Sequence, residues 1–212
     1  MTAESSHGRS APGPAGRGRY HHGDLRDALI ETTIVLLGEH GPAAFSMAEA
    51  SRRLGVAASA PYRHFADRDA LLAAVAVRAA GLLSDELDRR AADGPPKQRL
   101  AAAAETYVRF ADEQRALFQA LAGSGLNKDR HPEIGHAAQR IGVAFLSPAA
   151  ALTDGDQGAA AQLASVIVAT AHGHATLMLD GVFGSDRQAA EAAAAQAATA
   201  TLALIAGRDV LR

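Results

Sequence analysis

Tyr62, Arg63 and His64 are three adjacent side chains suited to contacting a polyanion, and they follow directly on Pro61. Arg63 is the one long donor here able to grip a guanine edge through two parallel hydrogen bonds. Tyr62 and His64 suit phosphate oxygens better. Just upstream, Ala57, Ala58, Ser59 and Ala60 offer little hydrogen bonding. Contacts there, Ser59 included, would be close backbone approach or packing on thymine methyls. Catalytic chemistry finds no comparable grouping. The chain has no cysteine nucleophile, no phosphate-binding glycine loop and no His-Glu-x-x-His, and Ala122–Leu126 fails the Gly-x-Ser-x-Gly pattern. It is not read as an enzyme. His172 and His174 lie two apart on an expected helix and so face apart, and His131 and His136 have only Glu133 as a nearby carboxylate. No metal or cofactor is expected.

For such a trio to read DNA, a short rigid element must present it to the major groove. The surrounding stretch has that form. Leu25, Leu29, Thr32/Thr33 and Leu36/Leu37 recur at helical spacing, and Gly41 with Pro42 ends the run. Ser46 and Glu49 form a capping-box pattern, in which Ser46 takes the Glu49 amide and Glu49 reaches back. That second helix stops at Gly55, which permits a left-handed turn, and Val56 plugs the gap behind it. A third short helix is expected from about Ala58 to Phe65. Pro61 then lies in its first turn, where a missing N–H costs nothing and a preset φ stiffens the reading end. Asp67 is the expected cap of a longer helix whose core stripe is Leu71, Leu72, Val75 and Leu82. Arg68 beside that helix start adds a further phosphate site.

Beyond the Asp93–Pro96 linker the pattern stays helical. Arg99–Gly123 is expected to place Leu100, Tyr107, Phe110, Leu117 and Leu121 inward, with an interruption near Asp112. A loop to Pro132 follows, then a helix over Ile134–Leu146 with Pro148 after it. Ala159–Leu179 is apolar nearly all round, so burial on several sides is expected. Ser185 and Gln188 form a second capping box opening Asp186–Ala206. No alternating strand pattern occurs. At 48% hydrophobic but only 4% aromatic, with much alanine, the composition favours close-packed helices.

The fold class is therefore all-α, a three-helix head joined to a larger helical bundle. The expected divisions are a disordered basic arm over 1–19, the head over 20–82, and a regulatory and dimerisation unit over 83–212. Net charge is only −2, which argues against a broad nucleic-acid coat and for one local contact surface. Arg17 and Arg19 in the arm are placed for a narrow minor groove. Absent cysteine fits a reducing cytoplasm. Ala189–Ala206, interrupted by Glu191 and Gln196, is expected to be too weakly hydrophobic for a bilayer, and no membrane partner is expected.

Ser46–Leu72, SMAEASRRLGVAASAPYRHFADRDALL, resembles the helix-turn-helix of the tetracycline-repressor (TetR) family of bacterial regulators, with Leu25–Gly41 as its first helix. The resemblance implies that Ser46, Tyr62 and His64 contact the DNA backbone. Arg68 stands where the family usually has lysine. Tyr107–Gly123 and His172–Gly181 resemble the regulatory domain of a His-Gly subgroup, although the tryptophan common there is missing. A ligand site among helices would draw on Tyr107, Phe110, Phe118, His172 and Met178, for which core packing is the competing role. The partners implied are a palindromic double-stranded operator, a small and largely apolar effector, and a second copy packed through a four-helix interface. The leading reading is a ligand-released homodimeric repressor. An activator, a ligand-independent regulator, or an interaction protein with a vestigial head are the alternatives.

Overall fold

The computed structural model describes residues 22–123, 125–127 and 129–208. The arm, with Arg17 and Arg19, lies outside them. The described residues form eight α-helices and one short 3-10 turn, with no strand among them: α1 (His22–Ala44), α2 (Met47–Leu54), the turn Pro61–Arg63, α3 (Arg68–Arg90), α4 (Pro96–Glu113), α5 (Arg115–Ala122), α6 (Pro132–Leu152), α7 (Gln157–Leu179) and α8 (Arg187–Ala206).

Local chemistry sets most of these boundaries. Gly41 breaks α1 at a φ of 75°, a conformation that glycine adopts without steric cost. Ser46 accepts from the Glu49 amide at 3.2 Å and starts α2. The reciprocal half of the capping box is not made, because the Glu49 carboxylate turns to Arg52 at 2.6 Å. Asp67 accepts from the Ala70 amide at 2.8 Å and starts α3. Gln114 interrupts the α4–α5 run. The cap of α8 is Asp186, accepting from Ala189, and not Ser185. A carboxylate one residue on outcompetes the hydroxyl for the same orphan amides. Pro148 does not follow α6 but sits buried inside it. Its missing N–H costs one backbone bond, and the packing of Pro148 and Ala149 outweighs that loss.

One apolar cluster runs from Leu29 and Leu36 in α1, through Leu71, Leu83 and Leu87 in α3, to Phe145, Ile167 and Ile205. α3 ties head to bundle by packing on α1, α4, α5 and α6. Its core stripe differs from the expected one in its last member: Leu83 is fully buried and Leu82 is 39% exposed. α4 is central, lying against α6, α7 and α8. Alanines make these approaches close: Ala103, Ala104 and Ala111 on α4, and Ala193, Ala194 and Ala197 on α8, are all fully buried. By length and a mean hydropathy of 1.3, α8 is apolar enough to cross a membrane, more so than its interruptions imply. One face of it instead packs on α4 and α7. α7 packs on α4, α6 and α8, yet one stripe of it stays uncovered. Ala161, Ser165, Ala169 and Leu177 on it remain exposed.

Candidate nucleic-acid interface and effector groove

The head holds the residues expected to read DNA on a turn tighter than the expected helix. Ala60, Arg63 and His64 donate to carbonyls three residues back, those of Ala57, Ala60 and Pro61, and only the Phe65 amide reaches back four, to Pro61. Little chain separates the left-handed Gly55 (φ 66°) from the cap at Asp67, and Pro61 has no amide to give, so the segment winds as 3-10. Pro61 and Phe65 are buried and anchor the turn. Ser59, Tyr62 and Arg63 face solvent, Tyr62 at 58% exposure. Arg63 enters no ion pair among the described residues.

The neighbouring basic residues are engaged. Arg53 bridges α2 to α1 through two bonds to Glu39, of 2.8 and 2.9 Å, which hold the Glu39 carboxyl below its usual range. Arg52 does the same to Glu49. Ser46 is exposed, and its hydroxyl serves as the α2 cap. His64 is half-buried and lines a cleft of about 380 Å³ with Arg26, Ile30, Phe65 and Arg78. The Arg26 guanidinium lies 5.3 Å from the Phe65 ring centre.

Arg68 does more inside the protein than an exposed phosphate ligand would. Its guanidinium donates to the carbonyls of Phe45 (3.1 Å) and Pro42, and lies over the Phe45 ring. It thus clamps the start of α3 to the corner between α1 and α2. Replacing Arg68 by Ala is expected to destabilise the head by about 1–3 kcal/mol, because both carbonyls lose a charged donor. Hydrogen exchange at the α1–α2 corner, against thermal unfolding of the whole chain, checks this.

In the bundle, three of the five expected ligand residues meet. The Tyr107 hydroxyl lies 3.2 Å from His172 Nδ1. The Phe118 ring stands edge-on to Tyr107 at 5.5 Å and tilted against His172 at 5.8 Å. Phe118 and His172 wall a groove of about 260 Å³ between α5 and α7, with Gln119, Thr176, Leu179 and Asp180 along it. Met178 lies apart, in a smaller cleft with Arg115 and Asp112, and Phe110 is buried in the common core. Sequence reading missed Gln119, Thr176 and Asp180. No spacing joins a residue of α5 to one of α7 about sixty positions later. His131 Nδ1 and Glu133 Oε1 come within 3.3 Å, while His136 is exposed on the next turn.

Burial pushes the Tyr107 phenol up to about 12 from its ordinary 10.0. The folded state therefore favours the neutral phenol. Its contribution is complete below pH 10 and is lost as the pH rises toward 12, amounting to about 2–3 kcal/mol. Denaturant midpoints across that window should fall in the parent chain and fall less in Tyr107→Phe.

Two family models match the chain. "Bacterial regulatory proteins, tetR family" covers residues 29–75, and "Tetracyclin repressor-like, C-terminal domain" covers residues 100–201. The chain belongs to the TetR family. The C-terminal description names no subgroup. No curated protein matches the sequence. Solved structures do. A protein of unknown function from Rhodococcus sp. RHA1 is 26% identical at a TM-score of 0.68, with 88% of this chain and 98% of that one aligned. A tetR-family transcriptional regulator from Streptomyces coelicolor is 22% identical at 0.70, covering 91% and 85%. FadR of Bacillus subtilis, solved with stearoyl-CoA, is 13% identical at 0.64, covering 84% and 96%. At such identities the last two establish the fold. As a TetR-family member the chain is a DNA-binding transcription regulator and not an enzyme, and its head is the region matched by the N-terminal model.

Proposed function

We propose that this TetR-family protein is a homodimeric repressor of the cytoplasm, released from a palindromic operator by a small effector. The observation that carries the reading is the exposed Tyr62–Arg63 edge, held on a turn whose other side is buried through Pro61 and Phe65. Arg63 reads a base edge. Ser46, Ser59, Tyr62 and His64 position the head on the backbone, and Arg68 acts mainly by holding α3 in place. Arg17 and Arg19 add minor-groove contacts from the arm.

The pairing surface is the outer face of α7 and α8. α7 carries no charged residue, and the charged residues of α8 are confined to its first turns, where Arg187 pairs with Glu191 at 3.0 Å. Ala161, Ser165, Ala169 and Leu177 on α7, and Ala192, Ala195, Thr199, Leu202 and Ala203 on α8, are exposed. An uncharged, small-residue face spanning two adjacent helices suits a two-fold four-helix contact. The effector enters the groove beside Phe118 and His172 and favours a state with mismatched half-site spacing. Its differential affinity for the two states sets the extent of release.

Fluorescence anisotropy with DNA from upstream of the protein's own gene, at two salt concentrations, tests the reading. Tight, salt-sensitive binding is expected. Arg63→Ala should weaken it by about 1–3 kcal/mol and leave the dimer intact. Unchanged affinity in that variant would place the reading surface elsewhere.

A further inference from the structure

The effector reading leaves the chemical class of the ligand open, and the groove between α5 and α7 narrows it. Phe118 and His172 pack together with ring centres 5.8 Å apart and planes 32° from parallel; Phe118 is only 3% exposed, so the half-buried His172 presents most of the accessible aromatic surface of this wall. The Tyr107 contact at His172 Nδ1 fixes the orientation of the imidazole, so the wall is formed before any ligand arrives. Such a wall accepts a flat ring. A volume of about 260 Å³ suits a molecule of one or two fused rings with a short side chain.

Charge decides the rest. Among the described residues lining the groove there is no Lys or Arg, and the one charged side chain is Asp180. Asp180 closes α7, its amide donating to the carbonyls of Thr176 and Met178. The negative end of the α7 dipole therefore lies on the same side as its carboxylate. That carboxylate enters no ion pair or hydrogen bond among the described residues. Arg115, beside the end of α7, is engaged. It donates to the Leu179 carbonyl at 2.7 Å and lines the separate cleft beyond it. Arg115 already answers the α7 helix end, so the charge left facing the groove is that of Asp180. An anionic ligand would meet that carboxylate with no Lys or Arg in the described lining, whereas a cationic one gains from it. Gln119 and Thr176, between wall and carboxylate, supply neutral hydrogen-bonding groups.

Resting on the effector reading above, we propose that the groove takes a flat aromatic molecule bearing a basic amine, its ring on Phe118 and His172 and its ammonium at Asp180. Acidic analogues and acyl thioesters of coenzyme A are disfavoured by the same electrostatics.

Three probes share one ring and differ in charge: tryptamine, tryptophol and indole-3-acetate. The protein has no Trp, so the anisotropy of indole emission reports probe binding directly. The full-length protein should bind tryptamine about fivefold or more tighter than tryptophol, and indole-3-acetate weakest. Asp180→Asn should bring tryptamine down to the affinity of tryptophol and leave tryptophol unchanged, which also shows that the groove remains folded. Equal or tighter binding of indole-3-acetate, an Asp180→Asn variant that keeps the amine preference, or no binding of any probe at millimolar concentration would each overturn the proposal. Operator release is scored separately. Release by indole-3-acetate would overturn the amine class and keep ligand control. Asp180-dependent tryptamine binding without release would keep the class and overturn ligand control.

Discussion

Ala169→Glu is expected to leave the chain folded but monomeric, and to weaken binding to a two-half-site operator by about 100-fold or more. Ala169 is exposed midway along α7, on the uncharged stripe with Ala161, Ser165 and Leu177. In a single chain a glutamate there stays in water and costs little. In a pair it meets the partner's apolar surface, and a buried carboxylate without a cation cannot keep its charge cheaply. In the proposed dimer each head binds one half-site weakly. Linking two heads turns the second contact into an intramolecular one, a gain of roughly two to four orders of magnitude that a monomer forfeits. Sedimentation and operator anisotropy on the same samples check both halves. Retained dimerisation would move the pairing face off α7. Lost dimerisation with unaltered operator affinity would mean that each head binds alone. Helical content should match the parent in either event.

The second large effect separates two adjacent leucines. Leu83→Ala is expected to destabilise the protein by about 2–5 kcal/mol, and Leu82→Ala by less than about 1 kcal/mol. Leu83 is fully buried in the cluster that joins head and bundle, whereas Leu82 is 39% exposed. Truncating Leu83 removes transfer free energy and leaves a cavity that α3, packed on α4, α5 and α6, cannot easily close. Truncating Leu82 mostly returns partly wet surface to water. Because α3 packs on α1 of the head and on α4, α5 and α6 of the bundle, Leu83→Ala should also loosen the proposed coupling between groove and head. Urea unfolding of both variants measures the contrast. Comparable losses would place Leu82 inside the core and refute the packing described above.

The Leu82/Leu83 pair shows where sequence reading stops. The stripe Leu71, Leu72, Val75 points to one face of α3, and those three are buried. Further along the helix, however, either leucine falls close enough to that face to extend it. Which one turns inward depends on where α4, α5 and α6 lie around the helix, and no local pattern encodes that. Pro61 gives the same lesson in the head. Its place near the start of a helical turn was legible, because a first turn tolerates a missing amide without losing a backbone bond. That the turn is 3-10 followed from anchoring Pro61 and Phe65 in the core between two capped ends.

By itself the sequence determined the all-helical class, the glycine break at Gly41, the left-handed turn at Gly55, and the caps at Ser46 and Asp67. Each depends on the backbone preferences and hydrogen-bonding groups of a few consecutive residues, so a few consecutive residues suffice to read it. Tertiary structure decided the rest: that Arg68 clamps Phe45 and Pro42, that Tyr107, Phe118 and His172 meet while Met178 lies in a separate cleft, that Asp180 lines the groove, and that one face of α7 is left bare. These depend on contacts between residues far apart in the chain. Their energies come from burial and from which charged groups are left facing one another, and both exist only once the helices have packed.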